Sequence, residues 1–243
     1  MNDTEQQVLR QLIRAGIVRF QQQGDIGFPY DDYDCIGDTS PFFKGAERAP
    51  YALDLAQEIP SDLIEEAGQL QAQLLCGLNL GNPRFVMSPP GIRGSLAKGF
   101  LTLAGVFGWR SSLLRYKKQG TALELEDALP VMDPGDRVAI PDHILGLSTV
   151  EKLRLMRALP TNLDPHLIFL IDRMEGGMAI LEALGIRAHA VFTLEDVLVT
   201  SEAERVLNRR TISKADVRAY AAHREQLVMT HLQAILKNLR AVI

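Results

Sequence analysis

Apolar positions recur along this chain in two rhythms. Val8, Leu9, Leu12 and Ile13 share one face at helical spacing, with Gly16 placed to end the turn, so residues 4–15 read as an amphipathic helix. A second helical pattern runs from Ser61 to Leu75, with Ser61 as its cap and Glu65 near the first turn, where a carboxylate opposes the helix dipole. Between them, the stretch from Gln21 to Arg48 is rich in Gly, Pro and Asp and predicts turns and a long loop or flap.

Beyond residue 80 the rhythm changes to apolar runs of strand length alternating with helical patterns. RFVMS, SSLLRY, RVAIP, HLIFLID and AHAVF read as strands; Gly94 to Phe107, Thr149 to Ala158 and Glu175 to Leu184 read as helices. Strands that are apolar throughout and separated by helices imply a parallel sheet buried on both faces. Ligands of such sheets sit beyond the carboxyl ends of the strands, which directs attention to the turns after Met87, Tyr116, Ile140 and Ile171. The tail is helical, with Thr193 and Ser213 as caps and Asp196 and Asp216 three residues on, near-matches to a capping box.

Composition narrows the class. The 243 residues are 47% hydrophobic and 23% charged, as in a soluble protein large enough for a proper core, with one domain and an appendage or two small domains. A net charge of −4 gives no reason to expect nucleic acid as a partner. The two cysteines, Cys35 and Cys76, have no metal-ligand spacing and point to a reducing cytoplasm. The N-terminal segment carries acids where a signal peptide would be basic, and no run is long and apolar enough to span a bilayer, so secretion and membrane insertion are not expected.

The stretch LIFLIDRMEGGMAILEALGIRAHAVFTLEDVL, Leu167 to Leu198, resembles the C-terminal half of orotate phosphoribosyltransferase: a strand ending in Asp-Arg, an acidic Gly-rich turn, a helix, then a short strand and a Thr-Leu helix start. FFKGAERAPYALDL resembles that family's N-terminal Lys and Pro-Tyr segment. SPPGIRGSLAKGF stands at its pyrophosphate loop, RYKKQG at the start of its mobile catalytic loop, and GDRVAIPDHILGLST at the strand and loop that bind phosphoribosyl pyrophosphate (PRPP). These elements keep family order over roughly residues 5–225. The resemblance implies an α/β fold of the type I phosphoribosyltransferase kind: a parallel sheet flanked by helices over residues 1–198, with an N-terminal hood over about 1–60 and a C-terminal helical extension over 199–243.

It also implies a site. Displacing pyrophosphate from the ribose anomeric carbon calls for cations or Mg²⁺ on the leaving group, amides around the 5′-phosphate and carboxylates near the ribose hydroxyls. Carried over residue by residue, the catalytic candidates are Asp142, Lys117 and Lys118, with Asp142 also the metal candidate. PRPP and its phosphates fall to Gly91, Arg93, Arg115, Gly146, Ser148 and Thr149, and orotate to Lys44, Tyr51 and Arg173. Several positions depart from the pattern. The family's second acid is His143, Leu147 puts an apolar branch in the phosphate loop, Pro141 removes an amide, and Pro90 stands where a Lys commonly precedes Gly91.

Two functional classes follow. One is a pentosyltransferase of pyrimidine nucleotide synthesis joining orotate to PRPP with Mg²⁺, its transfer weakened or lost. The other is a non-catalytic relative that binds a nucleotide, a pyrimidine or a protein partner. The resemblance implies a homodimer for either. Plainer explanations stand beside these assignments: Ser148 or Thr149 as a helix cap, Gly176 and Gly177 as a tight turn, Lys44 and Arg173 as surface charges. Asp31, Asp32 and Asp34 read as hydrated loop carboxylates, and the eight-residue separation of His223 and His231 is not a helical metal spacing.

Overall fold

A computed structural model describes residues 1–28, 48–54, 59–88, 94–119, 122–125, 131–145 and 162–242. Helix α1 (Asp3–Arg14) starts from a capping box in which Asn2 Oδ1 accepts from the Glu5 amide at 2.9 Å and Glu5 Oε2 accepts from the Asn2 amide at 2.7 Å. Its stripe of Val8, Leu9, Leu12 and Ile13 is buried, as the spacing predicts. Two short antiparallel strands, β1 (Val18–Phe20) and β2 (Tyr51–Leu53), form the described part of the hood. Helix α2 (Ser61–Gly77) departs in one detail from expectation: Pro60 is its cap and Ser61 its first residue, because the fixed φ of proline already sets the entry turn.

The main sheet follows: β3 (Phe85–Ser88), helix α3 (Gly94–Val106), β4 (Ser112–Gln119), β5 (Ala122–Leu125), β6 (Arg137–Leu145), β7 (Asp164–Asp172), helix α4 (Gly177–Ala183) and β8 (Arg187–Thr193). Helices α5 (Leu194–Ala203) and α6 (Lys214–Val242) complete the chain. Strand order is β5-β4-β3-β6-β7-β8, with β4, β3, β6, β7 and β8 mutually parallel and β5 an antiparallel edge. The helix expected over Thr149 to Ala158 lies outside the described residues.

Alternate strand residues go to opposite faces, and both faces are covered. Phe85, Met87, Val138, Ile140, Leu167 and Phe169 pack against Ile180 and Leu181 of α4 and Val228, Ile235, Leu236 and Leu239 of α6. Val86, Ala139 and Ile168 face Ala72 and Leu75 of α2 and Ala97, Phe100 and Ala104 of α3. A third cluster ties α1, the hood and α5 to the start of α6 through Val217 and Ala221. The chain passes from β3 outward to β4 on one side and from β6 outward to β7 and β8 on the other. The sheet therefore has its topological switch point between β3 and β6, where ligands of such folds bind.

Candidate functional site

Strand β6 does not stop at Pro141. It pairs with β7 as far as Leu145↔Asp172, whereas its pairing with β3 ends at Val86↔Ala139. The cause is local. Amides two residues apart in a central strand point to the same neighbour, so the next ladder bond toward β3 falls to residue 141, and proline has no N–H to donate. His143, two residues further, gives its amide instead to Oδ1 of Asp142, at 2.7 Å. Pro141 thus ends the described ladder between β3 and β6 at the switch point, and the Asp142 side chain accepts from the next amide on that side.

The same Asp142 oxygen lies 2.7 Å from Nδ1 of His143. Both side chains are nearly buried, with 6% and 7% of their residue surfaces exposed. A carboxylate accepting at Nδ1 places the ring proton there and turns Nε2 outward, 3.9 Å from Oδ1 of Asp54 at the end of the hood strand β2. Asp142 is therefore engaged inside the protein by its neighbour, and the hood contributes a second carboxylate on the far side of the ring. Among the described residues no group of three or more His, Cys, Asp or Glu could hold a metal ion.

Two of the nucleobase candidates, Tyr51 and Arg173, lie in the seam between β2 and the turn after β7. Arg173 follows β7, and its Nη2 donates to the carbonyl oxygen of Leu53 in the hood at 3.3 Å. The Tyr51 hydroxyl donates to Oε1 of Glu175 at 2.6 Å, and its ring meets Tyr220 of α6 edge-on, centroids 6.2 Å apart. The turn itself is tight: Met174 has φ 57° and donates its amide to Asp172 Oδ1 at 2.8 Å. Gly176 has φ 92°, and a Cβ there would lie 2.7 Å from Cβ of Val228. Burial raises the Asp172 carboxyl above its ordinary range, the Met174 amide opposes that shift, and the charges of Glu175 and Glu225 add to it. Hood, turn and C-terminal helix are thus clasped together around Arg173, with Glu175 and Arg224 fully buried beside them.

Of the phosphate-side candidates, few are among the described residues. Arg115 lies at the carboxyl end of the part of β4 that pairs with β3, opposite Ser88, and is exposed. Lys117 and Lys118, expected at the start of a mobile loop, belong to β4 instead: their backbones pair with Glu124 and Leu123 of β5 in a hairpin that continues the sheet. Gly91, Arg93, Gly146, Ser148, Thr149 and Lys44 lie outside the described residues. The sequence reading missed Asp54, Glu175 and Gln71. Of these Gln71 left a signal, being a polar residue on the apolar stripe of α2 between Ala67 and Leu75.

No family model matches the chain, and no curated protein matches it by sequence. Solved structures do match in three dimensions. The UMP synthase of Leishmania donovani superposes with a TM-score of 0.63 over 90% of this chain, at 19% identity, and the chain spans 42% of that protein's length. The orotate phosphoribosyltransferase of Francisella tularensis gives a TM-score of 0.54 at 12% identity, covering 88% of this chain and 92% of that one. That of Aeropyrum pernix gives 0.52 at 19% identity, covering 81% and 98%. The five parallel strands and flanking helices are those of an orotate phosphoribosyltransferase-like type I phosphoribosyltransferase fold.

Proposed function

We propose that the protein binds ligands of the orotate, PRPP and pyrimidine nucleotide class at the switch point between β3 and β6, and that its phosphoribosyl transfer is weak or lost. One observation carries this reading: Asp142, the acid retained on β6, has its Oδ1 committed to the amide and ring nitrogen of His143. Transfer develops positive charge at the ribose, which a carboxylate pair beside the hydroxyls would stabilise. Each such group is worth roughly 10² to 10³ in rate, so replacing one acid by an imidazole that also binds Oδ1 of the other weakens that stabilisation.

The nucleobase side supports binding. Arg173 and the backbone of Leu53 bring a guanidinium and a strand edge together, the donor and acceptor set that suits a planar, anionic pyrimidine. Magnesium belongs to this reading only as a companion of the PRPP phosphates where transfer persists, and a homodimer belongs to it as the assembly to be tested by light scattering.

The deciding measurement is orotate consumption with PRPP and Mg²⁺, together with calorimetric titration of orotate and of its nucleotide. Binding with little or no turnover is expected. Normal turnover that survives Asp142→Ala would refute the assignment of the site, and absence of both turnover and binding would refute the ligand class.

A further inference from the structure

Among the described residues the ladder between β6 and β3 ends at Ala139, while that between β6 and β7 goes on to Leu145. Gln71 of α2 reaches the segment beyond Ala139 from the helical layer below. Its Nε2 donates to the carbonyl oxygens of Asp142 and Ile168, both at 2.7 Å. Ile168 is the register partner of Pro141, so one side-chain amide ties β6 to β7 where the ladder on the other side has ended. The residue is 0% exposed, and its Oε1 has no hydrogen-bond partner among the described residues. Presenting two N–H donors to two carbonyls turns that oxygen away from them. An apolar residue on the same stripe would fill the space with no stranded acceptor, so helix packing by itself does not account for an amide here.

We propose that Gln71 is the positioning residue of the Asp142–His143 unit: it adds anchorage where Pro141 removes a ladder bond and fixes the strand segment that carries the Asp142 carboxylate. Its importance for ligand binding rests on the functional reading above; its effect on the strand does not. Gln71→Met keeps the volume and removes both donors. Pro141→Val restores an N–H aimed at β3.

Wild type, Q71M, P141V and the double variant are to be compared by amide hydrogen exchange at His143 and by calorimetric titration with PRPP and Mg²⁺. In Q71M, exchange at His143 is expected to quicken by about tenfold, as the loss of such hydrogen bonds implies, with amides of α1 unchanged and PRPP affinity reduced by a similar factor. The double variant is expected to recover most of the protection and affinity, because β6 would regain a ladder bond to β3. A packing role for Gln71 would give no such recovery. Unchanged exchange in Q71M, or no recovery in the double variant, overturns the proposal. Should the wild type bind no PRPP, the functional reading fails while the exchange comparison still decides the role of Gln71.

Discussion

The Tyr51 hydroxyl and the Glu175 carboxylate, 124 positions apart in sequence, meet at 2.6 Å in the buried seam between the hood and the turn after β7. Glu175 is 1% exposed, so its oxygen has no recourse to bulk water. Tyr51→Phe removes the donor and leaves the ring in place. A hydrogen bond to a charged group is worth about 1.5–3 kcal/mol, and a loss in that range is expected in urea unfolding. An unchanged midpoint would mean that Glu175 is satisfied without Tyr51.

Arg173 joins the same seam from the other side through the Leu53 carbonyl. Arg173→Ala should weaken orotate binding by about 10- to 100-fold, the equivalent of one charge-assisted hydrogen bond. Calorimetry on the variant checks this, with Arg115→Ala as a comparison expected to leave orotate binding alone. Equal effects from the two substitutions would contradict the division of the site into nucleobase and phosphate sides.

At the opposite end of the sheet His166 of β7 and His189 of β8 stack with centroids 5.8 Å apart and planes 15° from parallel. Burial lowers the pKa of each below 6.5. For His166, Asp164 pulls the other way while Arg187 and Arg137 add to the lowering; for His189 the lowering is reinforced by His166 and Arg187. Groups held neutral in the fold and free to take protons once unfolded stabilise it above the unfolded pKa, and that contribution fades as pH falls through 6.5 toward the lowered values. Unfolding midpoints should therefore drop as the pH is taken from 7.5 to about 5.5, and His166→Gln together with His189→Gln should flatten that slope. A slope equally steep in the double variant would locate the titration elsewhere.

Two glycines of α3 should respond in opposite directions to alanine. A Cβ at Gly99 would run into the Glu65 carbonyl oxygen of α2, whereas one at Gly105 meets nothing within 4 Å. Gly99→Ala is expected to cost about 1–3 kcal/mol through overpacking at the helix crossing. Gly105→Ala is expected to gain about 0.5–1 kcal/mol from helix propensity. Thermal or urea unfolding of both variants side by side reads the contrast.

Much of the fold was legible in the chain because its signals are local. Continuous apolar runs such as HLIFLID demand cover on both faces, and the structure supplies it with α2 and α3 on one side and α4 and α6 on the other. Thr193 and Asp196 do form a full capping box, since both halves of that motif lie within one turn. The strand lengths were less legible. RVAIP and SSLLRY each run on past the expected end, to Leu145 and Gln119, because pairing with a neighbouring strand prolongs a segment that its own residues would not.

The candidate site divides along the same line. Order and spacing of motifs pointed to the architecture, placed Asp142 on a central strand and Arg173 after the next one, and set His143 beside Asp142. Only the tertiary structure decided what those residues touch. That Pro141 ends the ladder to β3 while β6 goes on pairing with β7, that Asp54 stands beside His143, that Tyr51 meets Glu175 and that Gln71 reaches Asp142 from α2 all depend on partners tens of residues away. A local pattern records which conformations a segment prefers; which carbonyl receives a given amide is set when distant segments pack, and the chemistry of the candidate site follows from that packing.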